Sequence, residues 1–228
     1  MAERQELTWL AQVAVLHAEG MRMWGVRELP HRSGAAQQSK IQAMRRLERE
    51  VIACTRCPLF RTRTHHVLGE GNLDASLVFV GEAPGRDEDL QGRPFIGRAG
   101  LLLTKMIEAM GLTRGAVYIC NVLKDRPPSN RTPLPEEMDA CLPFLERQLA
   151  LIQPRVICTL GSVAVKALLG PHMAITHIRG QQQVYRGIPL MPTYHPAYLL
   201  RNPSAKRLVW QDLKKVMQLL EHPARVAK

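Results

Sequence analysis

The fold is decided by residues 77–100, LVFVGEAPGRDEDLQGRPFIGRAG, in which a short, unbroken apolar run leads directly into a glycine-rich segment. Such a run is typical of a β-strand buried on both faces, as in a parallel sheet covered by helices. Similar runs occur at residues 117–121 (VYICN), 156–160 (VICTL) and 188–192 (IPLMP). The sequence therefore predicts a central, mainly parallel four-stranded sheet.

Helical patterns separate these strands, as a three-layer α/β/α architecture requires. We expect helices at residues 41–51, 99–110, 135–152, 162–169 and 205–220. Residues 5–20 also show helical spacing, and the polar and small residues at 31–39 are typical of a linker. Residues 1–40 are therefore expected to form an accessory helix and linker, and residues 41–228 the α/β/α domain.

The composition indicates a globular protein with a basic surface. Lys and Arg total 31 against 20 Asp and Glu, which gives a formal net charge of +11. This excess favours a polyanionic partner such as nucleic acid, because Lys and Arg displace counterions from phosphates. A hydrophobic content of 46% excludes a disordered chain, and no apolar run is long enough to span a bilayer. The first residues lack signal-peptide order, so we expect a cytoplasmic protein.

Three predicted strands end in side chains that could form a ligand site, because open α/β sheets bind ligands beyond the carboxyl ends of their strands. The loop at 81–100 is rich in glycine, which lets backbone approach a ligand, but it matches neither common nucleotide-binding motif. Asn121 offers one donor and one acceptor. His195 follows the last strand. A solvated loop, a turn-capping Asn and a structural His are the simpler alternatives.

Two further segments suggest interactions. Leu199, Leu200 and Arg201 form an apolar tip beside a cation, which resembles a wedge that enters a DNA stack, although a buried turn is the alternative. Cys54 and Cys57 form a CxxC pair that can hold one metal or cluster.

The remaining cysteines differ in their setting. Cys141 lies in a predicted helix of mixed polarity and is the better candidate for a third ligand. Cys120 and Cys158 lie inside predicted buried strands, where an inert thiol is the expected state.

Taken together, these motifs resemble the family 4 uracil-DNA glycosylases, the iron–sulfur branch of that superfamily. The resemblance covers about residues 48–221 and rests on CTRCPL at 54–59, GEAPGRDEDLQGRPFIGRAG at 81–100, NVLK at 121–124, RPPSNR at 126–131 and YHPAYLLRNP at 194–203. It implies a monofunctional repair enzyme that hydrolyses the N-glycosidic bond of uracil in single- and double-stranded DNA and leaves an abasic site. The implied partner is uracil-containing DNA, and we expect a monomer.

The resemblance implies a role for each matching residue. Phe95 would stack on the flipped-out uracil, Asn121 would pair with its polar edge, and His195 would contact O2, where negative charge builds. Glu88 would lie near the C5 position, where a thymine methyl must be refused.

The start of the loop has its own implied roles. Glu82 and the backbone of Gly81 and Ala83 would line the pocket, with Glu82 counted among the catalytic residues. Ala83 stands where the best-known uracil glycosylases have an aspartate that orients water. Leaving-group stabilisation is therefore expected to outweigh base catalysis.

The cluster ligands depart from the family pattern at one position. Cys54, Cys57 and Cys141 match ligands of a 4Fe-4S cluster, but Asp125 stands where the family has its remaining cysteine. Because iron–sulfur clusters select soft thiolates, we expect Asp125 to act as a fourth, harder ligand or to lie near an open iron site.

Three other functions compete with this one. A related glycosylase could act on another deaminated base. A uracil-crosslinking relative is disfavoured because no histidine lies between Asn121 and Cys141. A non-catalytic, metal-stabilised nucleic-acid-binding module is disfavoured because Glu82, Phe95 and Asn121 occur together with His195.

Overall fold

The computed structural model describes residues 34–221. Its α-helices are α1 (Gly34–Ile52), α2 (Arg86–Gln91), α3 (Arg98–Ala109), α4 (Pro135–Ile152), α5 (Ser162–Leu169), α6 (Ile175–Ile178), α7 (Pro196–Arg201) and α8 (Lys206–Glu221). Its strands are β1 (Glu70–Gly71), β2 (Leu77–Gly81), β3 (Tyr118–Asn121), β4 (Val156–Leu160), β5 (Gln183–Tyr185) and β6 (Ile188–Thr193). None of these helices is long and apolar enough to cross a membrane.

The strands form one sheet in the order β1-β3-β2-β4-β6-β5. The four central strands run parallel to one another, and β1 and β5 pair antiparallel at the two edges. This confirms the predicted α/β class and the four parallel strands, and it adds two edge strands that were not predicted. Those strands contain only two and three residues, which is too short for a periodic pattern to be visible.

Helices cover both faces of the sheet. Side chains alternate along a strand, so Val78 and Val80 of β2 lie in one apolar cluster while Leu77 and Phe79 lie in the other. The first cluster draws on α1, α4 and α5, and the second on α3, α7 and α8. The predicted three-layer arrangement is therefore confirmed.

The beginning of the described chain differs from the prediction. Helix α1 begins at Gly34, so residues 34–39 are helical rather than part of a linker. The run AAQQ within them consists of good helix formers, a preference that outweighs their small or polar character. Tertiary contacts set the described residues from Lys40 to Glu221 apart as one unit. The helix expected at residues 5–20 lies outside the described residues, and the accessory role of residues 1–40 stays a prediction.

Candidate active site

Two neighbouring strands bring Gly81 and Asn121 side by side. They are the last register pair of the parallel strands β2 and β3. Pairing continues beyond the strands, because the N–H of Val122 donates to the Gly81 carbonyl at 3.0 Å and that of Leu123 donates to the Glu82 carbonyl at 3.0 Å. The glycine-rich loop therefore leaves the sheet beside Asn121, as the strand ends predicted.

Gly81 lies next to the side chains of both Phe95 and Asn121. A Cβ atom on Gly81 would lie 2.4 Å from Asn121 Oδ1 and 2.4 Å from Phe95 Cζ, so any side chain there would displace the ring or the amide. The Phe95 ring also faces His195, with ring centroids 5.5 Å apart and planes inclined by 32°. The structure thus brings together four residues that the sequence assigned to one pocket.

The side-chain oxygen of Asn121 is a buried hydrogen-bond acceptor. Its side chain is 1% exposed, and Oδ1 has no hydrogen-bond partner among the described residues. An unpaired buried polar atom costs about 1–3 kcal/mol and calls for a functional explanation. The backbone carbonyl of Asn121 is fixed by the buried Lys124, whose Nζ donates to it at 2.6 Å. The backbone at Asn121 is therefore held in place, while the buried Oδ1 has no partner within residues 34–221.

Phe95 lies on a strained bend of the loop. Its φ of 51° falls in the left-handed region, which few non-glycine residues adopt. Glu88 secures the next residues, because its Oε1 accepts from the N–H of Ile96 at 3.0 Å and of Gly97 at 2.9 Å. A Cβ atom on Gly100 would lie 1.8 Å from the Phe95 carbonyl oxygen, so this packing requires glycine. Glu88 thus lies against the segment that carries Phe95.

Two residues outside the sequence motifs complete this bend. Arg114 donates from Nη1 to the Phe95 carbonyl at 3.1 Å and from Nη2 to the Pro94 carbonyl. Glu70 accepts from Arg114 Nε at 3.1 Å. Hydrogen bonds from Arg93 and then Arg114 lower the pKa of Glu70, so it remains a carboxylate. No local sequence pattern indicates this contact, because 44 positions separate Glu70 from Arg114.

His195 is a neutral hydrogen-bond donor. It caps the start of α7, where its Nδ1 accepts from the Ala197 N–H at 3.1 Å. The neutral ring therefore carries its proton on Nε2. Burial, and then the positive charge of Arg201, lowers the pKa of His195 to about 4. At neutral pH the ring can donate from Nε2 to an oxygen that gains negative charge.

Glu82 and Ala83 begin the glycine-rich loop, and both are half-buried. Burial raises the pKa of Glu82. A carboxyl group with a raised pKa next to a ligand site is a candidate for proton transfer or charge stabilisation. Ala83 packs against the first apolar cluster and offers no polar group to a water.

The predicted wedge divides between the core and the surface. Leu199 is 1% exposed and belongs to the second apolar cluster, because the phase of α7 turns it inward. This corrects its predicted place in a DNA-facing tip. Leu200 is 38% exposed, as is Tyr198, and Arg201 is exposed. The exposed side chains of this segment are therefore Tyr198, Leu200 and Arg201, and the DNA contact of Leu200 and Arg201 stays a prediction.

The five cysteines lie in two different settings. Cys57 and Cys141 lie in the first apolar cluster, and a hydrogen bond between their thiols lowers the pKa of Cys57 and raises that of Cys141. Cys54 is partly exposed and packs on the same cluster. Cys120 and Cys158 are fully buried in strands, where burial raises their pKa values. Within residues 34–221, no three His, Cys, Asp or Glu side chains are arranged to hold one metal ion.

Asp125 is paired with an arginine. Arg63 Nη1 lies 3.0 Å from both carboxylate oxygens of Asp125, and the same guanidinium donates to the carbonyls of Val51 and Ile52 at the end of α1. Burial raises the pKa of Asp125, and the hydrogen bond from Arg63 opposes this. Asp125 could bind a metal only after this ion pair opened.

Comparison with known proteins shows the family to which this chain belongs. The family model of the uracil DNA glycosylase superfamily matches residues 68–214. A type-4 uracil-DNA glycosylase of Thermotoga maritima is 47% identical over 184 residues, which cover 79% of this chain and 96% of that protein. A type-4 enzyme of Sulfurisphaera tokodaii is 44% identical over 194 residues, covering 81% and 88%. A type-5 uracil-DNA glycosylase of Pyrobaculum aerophilum is 30% identical over 165 residues, covering 65% and 72%.

The chain belongs to the uracil-DNA glycosylase superfamily and, within it, to the type-4 family.

Proposed function

We propose that this chain hydrolyses the N-glycosidic bond of uracil in single- and double-stranded DNA, releases the free base and leaves an abasic site. The observation that carries the proposal is the buried Asn121 amide, whose Oδ1 has no hydrogen-bond partner in the described part of the chain, beside Phe95 and His195. An amide, an aromatic face and a neutral imidazole are together complementary to a planar base with one N–H between two carbonyl groups.

Asn121 reads the polar edge of the base. Oδ1 accepts from the N3–H of uracil, and the amide nitrogen donates to O4. Cytosine lacks the N3–H and carries an amino group in place of O4, so both hydrogen bonds fail in its case. Each buried group left unpaired costs about 1–3 kcal/mol, which is enough to reject the much more abundant cytosine.

Phe95 and Glu88 set the shape of the pocket. Stacking of a base on an aromatic ring contributes about 1–3 kcal/mol, and Phe95 supplies that face. The Glu88 carboxylate is held by the amides of Ile96 and Gly97 and therefore has little freedom to move aside. A fixed carboxylate near C5 would exclude the methyl group of thymine.

His195 supplies the main stabilisation of the leaving group. Bond cleavage produces a uracil anion and an oxocarbenium-like sugar, and negative charge gathers on O2. The Nε2–H of His195 donates to O2 more strongly as this charge grows, which lowers the barrier without binding the substrate equally tightly. The ring is already neutral and oriented by Ala197, so no reorganisation is needed during the reaction.

The protein contributes less to the attack by water than to the departure of the base. Ala83 has no side-chain group that could act as a general base. The carboxyl group next to it in the loop is that of Glu82. We assign Glu82 to the pocket lining, where its charge would stabilise the cationic sugar. The Gly81 and Ala83 backbone would form the adjoining wall.

A base inside a duplex must be extruded before it can enter this pocket. Leu200 is the exposed apolar side chain that would fill the gap in the stack, and Arg201 would contact the backbone. The net charge of +11 supports binding to phosphates without sequence preference. We expect the chain to act as a monomer, and its cytoplasmic location stays a prediction.

An iron–sulfur cluster, most simply 4Fe-4S, would be held by the thiols of Cys54, Cys57 and Cys141. The donor chemistry fits, because iron–sulfur clusters select thiolates, and Cys57 and Cys141 lie in one apolar cluster on which Cys54 packs. The bound cluster would supply a structural tie between the turn at 54–57 and α4. Because Asp125 is paired with Arg63, we place Asp125 beside an open iron site rather than on the iron.

The function is tested with matched oligonucleotides that carry uracil, hypoxanthine, xanthine or cytosine at one position. After incubation with the enzyme, alkali cleaves the strand wherever a base has been removed. We expect cleavage of the uracil substrate, both single- and double-stranded, and none of the cytosine control. Preferential cleavage at hypoxanthine or xanthine would assign the chain to another deaminated base, and cleavage at none would favour a binding module.

A further inference from the structure

We propose that Arg114 is a positioning residue, which holds the carbonyls of Pro94 and Phe95 so that the Phe95 ring lies over Gly81 beside Asn121. The inference rests on the proposed function, in which Phe95 stacks on uracil. Arg114 belongs to the short turn at Arg114–Ala116, outside every motif that indicated the pocket.

The geometry of Arg114 is that of a clamp. Its guanidinium contacts two successive carbonyls, at Pro94 and Phe95, and reaches Thr104 Oγ1 of α3 at 3.4 Å. Two donors in a rigid plane fix the orientation of a backbone segment, which a single point charge does not. The Arg114 side chain is 19% exposed, so these hydrogen bonds are largely shielded from water.

The bend at Phe95 needs such support. A φ of 51° is unfavourable for a phenylalanine, and strain of this kind persists only where surrounding contacts enforce it. Glu88 binds the amides that follow the bend, whereas Arg114 binds the carbonyls at and before it. Removing Arg114 frees one side of the bend while the Glu88 side stays in place.

Glu70 orients the clamp. It accepts from Arg114 Nε at 3.1 Å and from Arg93 Nε at 2.7 Å, so its carboxylate lies between two guanidinium groups. Glu70 lies on the edge strand β1, paired opposite Ile119 of β3. A sheet edge that bears no predicted pocket residue therefore supports the stacking ring through Arg114.

The test is a double-mutant cycle between Arg114→Met and Phe95→Ala, measured as the single-turnover rate of uracil excision. We expect Arg114→Met to lower the rate roughly 10- to 100-fold, as expected for a misplaced contact group. In the Phe95→Ala background the same substitution should change the rate less than twofold, because a positioning residue acts only through the group it positions. Arg186→Met is the matched control, since Arg186 is also paired with a glutamate, Glu146, but is 64% exposed and precedes β6, whereas His195 follows that strand.

Further measurements separate positioning from folding and from charge. Arg114→Lys keeps the positive charge but loses the planar guanidinium with its two donors, so it should give an intermediate rate. The affinity of Arg114→Met for undamaged DNA should match that of Arg186→Met. Equal losses from Arg114→Met with and without Phe95 would overturn the inference, as would a full rate in Arg114→Met. If Arg114→Met does not fold, the same cycle with Arg114→Lys decides. Absence of uracil excision by the unaltered chain would overturn the proposed function instead.

Discussion

Replacing Asn121 with aspartate tests how the pocket reads its base. The change is nearly isosteric, but it converts the amide N–H₂ into an oxygen and leaves no donor for O4 when the side chain is ionised. The side chain is 1% exposed, so the new carboxylate would be buried next to the growing charge of the uracil anion. Losing the donor alone corresponds to about 1–3 kcal/mol, and the repulsion adds to this.

We therefore expect the single-turnover rate of uracil excision to fall at least roughly 100-fold at neutral pH, since each 1.4 kcal/mol is tenfold. A protonated aspartic acid again has one donor and one acceptor. The rate should accordingly recover in part as the pH falls, and cytosine should become a better substrate relative to uracil. Asn72→Asp is the control, because exposed Asn72 undergoes the same change and its Oδ1 accepts from the Asp74 N–H. Unaltered uracil excision in Asn121→Asp would show that Asn121 does not read the base.

Three further outcomes follow from the same structure. His195→Ala should lower the single-turnover rate far more than affinity for uracil-containing DNA, since its hydrogen bond strengthens only as O2 gains charge; equal losses in both would contradict this. Because the folded-state pKa of His195 is about 4, below its ordinary 6.5, the unfolded chain takes up the proton first, and stability is lost as pH falls through that window. Between about pH 7.5 and about pH 5 this amounts to at most about 2 kcal/mol, which urea unfolding should detect as a steeper pH dependence than in His195→Gln. Asp125→Cys should raise the iron and sulfide content after aerobic purification with little change in uracil excision, whereas no gain in iron would argue against a fourth ligand position there.

The central sheet could be predicted because its strands are buried on both faces. An unbroken apolar run such as Leu77–Gly81 has few other places in a globular protein, and all five of its residues are buried. The edge strands β1 and β5 escaped prediction because they are short and partly exposed. Burial, which is the signal that sequence patterns carry, is weak at a sheet edge.

The pocket residues at the ends of strands could be predicted from the sequence. The side chains that hold the loops through contacts distant in sequence could not. Asn121 and His195 follow parallel strands, and such ends meet at one edge of the sheet. Arg114 and Arg63 act through single side chains on partners many positions away, at Phe95 and Asp125, and no local pattern encodes such pairs. Leu199 was misplaced because successive helix positions point about 100° apart, so that Leu199 faces the core while the adjacent Leu200 is exposed.

Uracil held by Asn121 should leave as a free base, without a covalent enzyme–DNA intermediate. The most direct measurement quantifies free uracil, abasic sites and strand breaks from one uracil-containing duplex in the same reaction. We expect one uracil released for each abasic site, no strand break without alkali and no adduct trapped by borohydride. Strand breaks without alkali, a trapped adduct, or abasic sites without matching uracil would contradict the claim.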